Sequence, residues 1–270
     1  MAFLNSRTRR ATKGGLGGLA AAIFLSVMVG IIFAGEPQNQ IFAGRAAAEY
    51  HRAQTQFQSN TNDPAAAWQF ARACYDFNDF ATNNAGRATL ANQGIAACRQ
   101  LLACESNSAP GHYYLAIELG QLADTRRNPA AIKMVREIER EFKTAGDLDE
   151  HFDYAGPVRC LGLLYRDAPG WPVSIGNRRK AREWLEQAVQ LAPDYPENRL
   201  NLVESYWQWK DREAASNELK TLDALWPRAQ TNFTGEAWER SWNDWSTRRD
   251  VARKKLEETA APAKSPKSAH

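Results

Sequence analysis

The chain has 270 residues and a formal net charge of +3, and 44% of its residues are hydrophobic, which is typical of a globular protein. Four of its 34 basic residues, Arg7, Arg9, Arg10 and Lys13, precede the first acidic residue, Glu36, so the other 30 nearly balance the 31 acidic residues. A body this close to neutral gives no sign of a nucleic-acid binder, and we expect no nucleic-acid partner.

Residues 1–35 have the pattern of a targeting segment. The four cations precede an uncharged apolar run of 22 residues, Gly14 to Gly35, which is long enough to cross a bilayer as a helix. The basic flank predicts a cytoplasmic N-terminus and an exported body, and hence a location in the cell envelope. Two fates are open. The segment is either an uncleaved signal anchor that holds the chain in the inner membrane through residues 14–35, or a signal peptide cleaved near Ala34, which releases the body into the periplasm.

Residues 36–62 are polar and rich in glutamine, with one candidate amphipathic helix around residues 43–57. We interpret them as a partly helical spacer between membrane and body. The alternative is that this segment packs as an extra helix on the first hairpin of the body.

The body, residues 63–258, has the pattern of successive helical hairpins. Asp63 followed by Pro64 is a typical helix start, and Asn128 followed by Pro129 repeats it. Asn83 and Asn84 mark a turn between two helices, and Ser108 opens a further helix. No segment has a convincing strand pattern, so we expect an all-α body of roughly four helix pairs.

A 34-residue repeat occupies the stretch from 157 to 227. Pro193 and Pro227 lie 34 residues apart, and each follows three apolar residues at spacings of 4, 3 and 5. Steps of 4 and 3 keep these residues on one helical face. The two sets are Ala181, Leu185 and Ala188 before the first proline, and Ala215, Leu219 and Leu222 before the second.

This pattern resembles the tetratricopeptide (TPR) repeat, a pair of short antiparallel helices that stacks on its neighbours. The small residues allow the two helices of a pair to approach closely, and each proline is expected to end its pair. The resemblance implies a TPR-like α-solenoid. Its repeat-signature residues are Gly162, Ala181, Ala188, Pro193, Leu202, Tyr206, Ala215 and Pro227.

A final helix is expected from Thr234 to Glu258, followed by a disordered tail of residues 259–270. Trp238, Trp242 and Trp245 recur along it at steps of 4 and 3. They favour a capping helix that covers the last apolar face of the solenoid. The alternative is an exposed aromatic surface for a partner or for membrane headgroups.

No residue set argues for catalysis, so we expect a non-enzymatic protein with no catalytic residues, no metal site and no cofactor. The four cysteines form no C-x-x-C pair, and the four histidines are scattered. Cys74 and Cys98 are expected to face each other across the first hairpin. They are either small buried packing residues or, in an exported chain, a disulfide.

The loop from Ala168 to Gly176 contains two prolines and two glycines, which indicates a shaped turn with Trp171 upon it. This loop lengthens the turn of its helical hairpin. Trp171 either projects from it as a ligand or partner contact or folds back to fill the widened hairpin.

Residues 155–207, which include L-Y-R-D-A-P-G-W-P, S-I-G-N-R-R-K-A and P-D-Y-P-E-N, resemble the T component of TPR-associated TRAP transporters. The resemblance implies a periplasmic helical protein that associates with a solute-binding protein and holds a hydrophobic ligand. The chain lacks the family's lipobox cysteine. We therefore expect a scaffold for an unknown protein partner in the cell envelope, with the transporter T component as the alternative. The candidate contact residues are Trp171, Pro172, Ile175, Arg159, Tyr165 and Trp207.

Overall fold

A computed structural model of the chain describes residues 29–125 and 129–260, and these residues form ten α-helices and no strand. The all-α prediction is therefore confirmed for the described part of the chain. The helices are α1 (Val29–Ser59), α2 (Pro64–Asn78), α3 (Asn84–Cys104), α4 (Ala109–Thr125), α5 (Pro129–Leu148), α6 (Phe152–Asp167), α7 (Arg178–Leu191), α8 (Pro196–Gln208), α9 (Arg212–Asn232) and α10 (Glu236–Ala260).

The helices belong to two compact units. The first contains α1 to α5 together with the loop Asp167–Ile175, and the second contains Glu150–Arg166 and the chain from Gly176 onward. Each unit has two helical hairpins: α2 with α3 and α4 with α5 in the first, and α6 with α7 and α8 with α9 in the second. These are the four helix pairs expected from the sequence.

In the first unit, α2 begins where the sequence predicts, and α3 begins at Asn84, within the predicted turn. The side chain of Asp63 accepts a hydrogen bond from the backbone N–H of Ala65, and that of Asn83 accepts one from Gly86. Helix α1 packs on α2, with Tyr50 and Ala53 buried against Phe70. The segment interpreted as a spacer is thus helical to Ser59 and takes the second of its two alternatives, an extra helix on the first hairpin.

In the second unit, the repeat-signature residues other than the two prolines are buried where the helices pack against each other. Ala181, Ala188 and Ala215 have no exposed surface, and Gly162, Leu202 and Tyr206 are also buried. A methyl group on Gly162 would lie 2.6 Å from Cγ of Leu185, so α6 and α7 are in close contact there. The repeat pattern therefore reports the internal packing of each hairpin.

Of the two prolines expected to end helix pairs, only Pro193 follows the end of a helix. Helix α7 ends at Leu191, two residues before Pro193, as expected. The expectation that Pro227 ends its helix pair is wrong, because Pro227 lies inside α9, which continues to Asn232. Trp226, Ala229 and Phe233 are buried around Pro227 in one apolar cluster with Trp245. Their burial offsets the backbone hydrogen bond that the proline removes.

Most of the predicted membrane segment, residues 14–35, lies outside the described residues, because α1 begins at Val29. Among the described helices, none combines the length and the apolar character that a bilayer crossing requires. At the other end, α10 continues to Ala260, and the remainder of the predicted tail, 261–270, lies outside the described residues. The cap predicted at Asn128 also lies outside them.

Candidate functional site

The N-terminal turn of α6 has an unusual backbone. Asp153, Tyr154 and Ala155 have φ angles of 49°, 56° and 63°, so three consecutive residues other than glycine adopt the left-handed conformation. This conformation costs about 1–2 kcal/mol per residue. Such strain persists only where the surroundings enforce it, and it is concentrated at functional sites.

Arg159 and Asn198 hold this left-handed turn in place, and both side chains are buried. Nη1 of Arg159 donates to the carbonyl oxygen of Tyr154 at 3.2 Å and to Oδ1 of Asn198 at 3.0 Å, while Nη2 donates to the Asp153 carboxylate at 3.0 Å. Nδ2 of Asn198 donates to the carbonyl oxygens of Tyr154 at 3.1 Å and Ala188 at 2.9 Å. The turn is therefore tied to both α7 and α8.

The turn presents Tyr154 on a group of aromatic rings, which we call the aromatic platform: Tyr154, Tyr195, Phe233 and Trp238. The Tyr154 ring stacks on Tyr195 with 4.5 Å between centroids and an interplanar angle of 17°. It meets Phe233 and Trp238 edge-on at 5.4 and 5.8 Å. Tyr195 and Phe233 are buried, whereas Tyr154 remains 40% exposed. A rigid, partly exposed tyrosine on an aromatic base is typical of a protein contact surface.

A buried ionic network fixes α10, which carries Trp238, onto α8. Arg248 donates to Glu197 at 2.8 Å and to Glu204 at 2.7 Å, and Nε1 of Trp245 donates to Glu197 at 2.8 Å. Burial opposes the charge on Arg248, but Glu197 and Glu204 raise its pKa well above the usual value. Arg248 is therefore a permanent cation. Trp245 is fully buried and Trp242 partly so, so α10 covers the last hairpin, as the capping interpretation of the tryptophans predicts.

The residues predicted as contacts from the sequence fall in different places. Trp171 is 88% exposed, Pro172 is exposed and Ile175 is half-buried, all on the loop of the first unit. In the second unit, Arg159 is the buried support of the left-handed turn. Tyr165 is buried with Nζ of Lys180 at 5.1 Å from its ring centroid, and Trp207 is half-buried with Arg212 at 5.8 Å. Of these six residues, only Arg159 is shown in contact with the aromatic platform, where it lies over the Tyr195 ring and positions Tyr154.

Cys74 and Cys98 are both buried free thiols in the first unit. Burial raises the pKa of each, and the neighbouring Glu118 adds to both shifts. The two thiols are therefore neutral, as small packing residues would be.

The sequence is similar to one known protein family over part of its length. A family model described as "Regulator of microtubule dynamics protein 1-3" matches residues 39–155, less than half of the chain. No curated protein sequence matches.

Among solved structures, the chain is similar to TTC0263, a thermophilic TPR protein of Thermus thermophilus, with 21% identity over 79% of this chain and 94% of that one, at a TM-score of 0.55. It also matches MamA, with 15% identity over 68% of this chain and 91% of that one, at a TM-score of 0.46. The first of these similarities shows that the chain has a TPR-like fold.

Proposed function

We propose that this chain is a non-enzymatic TPR-type scaffold that binds a partner protein through the aromatic platform of its second unit. The observation that carries this proposal is the left-handed turn. Buried hydrogen bonds from Arg159 and Asn198 hold Tyr154 in a strained, partly exposed position on stacked rings. A surface fixed before binding loses little conformational entropy on association, so it suits recognition of a peptide or helix.

Affinity purification of the full chain from solubilised membranes tests the proposal. We expect Tyr154→Ala to lose the co-purifying partner, because truncation of a tyrosine at the centre of an interface costs about 2 kcal/mol or more. Val251→Ala is the matched control, since Val251 is 45% exposed on α10 of the same unit. Equal recovery of the partner by both variants, with unchanged thermal melting, would exclude the platform as the contact.

The location is part of the same proposal. Residues 14–35 hold the chain in the inner membrane, or are removed on export, and the helical body lies in the periplasm. Fusion of a reporter that is active only outside the cytoplasm to the C-terminus checks this orientation, and an inactive reporter on a stably produced fusion contradicts it.

A second candidate function is that of a transporter T component that binds a hydrophobic ligand and a solute-binding protein. The observation that favours it is Trp171, which projects from the A-P-G-W-P loop with 88% of its surface exposed. Native mass spectrometry of the purified chain is expected to show a co-purified apolar ligand that Trp171→Ala loses. A ligand-free protein would contradict this function and leave the scaffold proposal standing.

The family-model match supplies a further candidate partner, because the matched family is described as regulators of microtubule dynamics. Co-sedimentation of the purified full chain with microtubules tests it. Pelleting that depends on microtubule concentration supports that partner, and a chain that stays in the supernatant excludes it.

A further inference from the structure

The first turn of α7 carries a cluster of cations in an unfavourable position. Arg178, Arg179 and Lys180 are all exposed, and no acidic residue accompanies them in this turn. The N-terminus of a helix has a partial positive charge that favours anions, so each cation there reduces the stability of the helix. The side chain of Asn177, which accepts a hydrogen bond from the Lys180 N–H, caps this end.

Two more exposed cations lie nearby: Lys210 in the loop between α8 and α9, and Arg212, the first residue of α9. Lys210 has a φ of 63°, the left-handed conformation that glycine adopts with less strain. The N–H of Lys210 donates to the carbonyl oxygen of Trp207, and the N–H of Asp211 to that of Tyr206. This arrangement ends a helix and usually contains glycine at the left-handed position. Lys210 is thus a further cation that is present at a cost in stability.

These two segments meet at one edge of the second unit, around Trp209. The guanidinium of Arg178 lies 5.5 Å from the Trp209 ring centroid, and that of Arg182 lies 5.8 Å from it. Arg182 also pairs with Asp211 at 2.7 Å. We call this surface the basic edge and define it by Arg178, Arg179, Lys180, Arg182, Lys210 and Arg212.

Aromatic rings, more than carboxylates, hold the cations of the basic edge. The Lys180 ammonium lies over Tyr165, and the Arg212 guanidinium over Trp207. Of the six cations, Arg179 pairs with Glu183 and Arg182 with Asp211. The other four form no ion pair among residues 29–125 and 129–260, although Arg178 is close enough to help lower the pKa of Asp211, whose main partner is Arg182. Glu213 is the remaining exposed acid beside them, so the edge keeps an excess of positive charge.

We propose that the basic edge binds an acidic segment of the partner protein, rich in glutamate or aspartate. This inference rests on the proposed scaffold function and adds the chemistry of the partner. Rings beneath Arg178 and Arg212 restrain their guanidinium groups, and a restrained planar guanidinium binds carboxylates through two parallel hydrogen bonds. The four unpaired cations supply charge complementarity and steer an acidic segment toward this edge.

The test uses the purified full chain in detergent and a labelled 12-residue peptide of alternating glutamate and glycine. The variant Arg178→Gln/Lys180→Gln/Arg212→Gln is expected to lower the affinity by about ten-fold or more, because removing each charged hydrogen bond reduces binding by a factor of several. The matched control is Lys133→Gln/Arg136→Gln/Lys143→Gln, three exposed cations on α5 of the first unit. It is expected to change the affinity by less than about two-fold, since none of these cations belongs to the basic edge and salt screens exposed charges.

Two further ligands complete the test. One is a peptide in which glutamine replaces every glutamate, and the other is a vesicle of phosphatidylserine. We expect the glutamine peptide not to bind, and the glutamate peptide to bind more weakly as salt is raised. The proposal is overturned if the triple variant and the control bind the glutamate peptide equally. It is also overturned if the triple substitution abolishes binding to the vesicles but leaves binding to the glutamate peptide unchanged. That result would assign the edge to a membrane surface. The peptide titration is made with the purified chain in the absence of the partner protein, so its failure can be distinguished from failure of the aromatic platform.

Discussion

Glu118 lies fully buried in α4, and neither of its carboxylate oxygens has a hydrogen-bond partner among the described residues. Burial raises its pKa well above the usual 4.5, and the charge of Asp76 adds to the shift. Glu118 is therefore protonated in the folded chain at pH values where it is ionised in the unfolded chain. Above pH 4.5 the folded state binds more protons, so its stability falls as the pH rises, by up to about 1.4 kcal/mol per pH unit, until the pH passes the pKa of the folded state.

We expect Glu118→Gln to remove this pH dependence, because the glutamine side chain stays neutral in both states. Urea unfolding of both proteins at about pH 5 and about pH 7.5 measures it. The variant should gain stability relative to the parent at the higher pH. An equal fall in both proteins between the two pH values would show that Glu118 is ionised in the folded chain.

At Lys210 the structure predicts a gain in stability on substitution. Lys210→Gly is expected to raise the free energy of unfolding by about 1 kcal/mol, because glycine relieves the left-handed strain at φ 63°. The same variant is expected to bind the acidic peptide more weakly, since it removes one cation of the basic edge. Chemical denaturation and peptide titration measure the two effects. A loss of stability would contradict the strain that we assign to this residue.

At the scale of the elements, the close packing of α6 on α7 depends on Gly162. A Cβ atom there would lie 2.6 Å from Cγ and 3.1 Å from the backbone nitrogen of Leu185, which is fully buried. We expect Gly162→Ala to lower the free energy of unfolding by about 1–3 kcal/mol, because overpacking outweighs the better helix propensity of alanine.

Gly44→Ala in α1 is the matched control, because a Cβ atom there would contact nothing within 4 Å. It is expected to raise stability by up to about 1 kcal/mol through helix propensity alone. Denaturant unfolding compares the two variants. Equal effects of the two substitutions would contradict the close approach of α6 and α7.

The packing of α10 on α8 depends on the buried Arg248, which bonds to Glu197 and Glu204. Arg248→Met is expected to cost about 3–5 kcal/mol, because it leaves Glu197 buried without its cation. Arg253→Met on the same helix removes a half-exposed pair with Asp223 and is expected to cost about 1 kcal/mol or less. Thermal unfolding separates the two cases. Similar losses in both variants would mean that the Arg248 network does not hold α10 in place.

The sequence predicts the elements well because their signals are local. Asp63 with Pro64 marks a helix start, Asn83 and Asn84 mark a turn between helices, and the 34-residue spacing of small and apolar residues marks two hairpins. The prediction for Pro227 is wrong, because burial of Trp226 and Phe233 around it depends on α10, which the local pattern does not include. Tertiary packing overrides the local preference of proline at that position.

At the scale of the whole molecule, the TPR-like fold follows from the sequence, but the aromatic platform does not. The left-handed conformation is usually adopted by glycine and occasionally by asparagine or aspartate, and neither Tyr154 nor Ala155 is one of these residue types. The turn exists because Arg159 and Asn198, 39 residues apart, bond to the same backbone. The sequence pattern predicts Arg159 as a contact residue, whereas the structure assigns it a supporting role beneath Tyr154.

We propose that this chain works by holding a partner protein against the aromatic platform. Photo-crosslinking in cells, with p-benzoylphenylalanine in place of Tyr154 or of Val251, tests it most directly, because both residues are exposed in the same unit. We predict one discrete crosslinked protein from position 154 that is absent from position 251. Discrete products from neither position, or the same product from both, would show that the aromatic platform does not hold the partner.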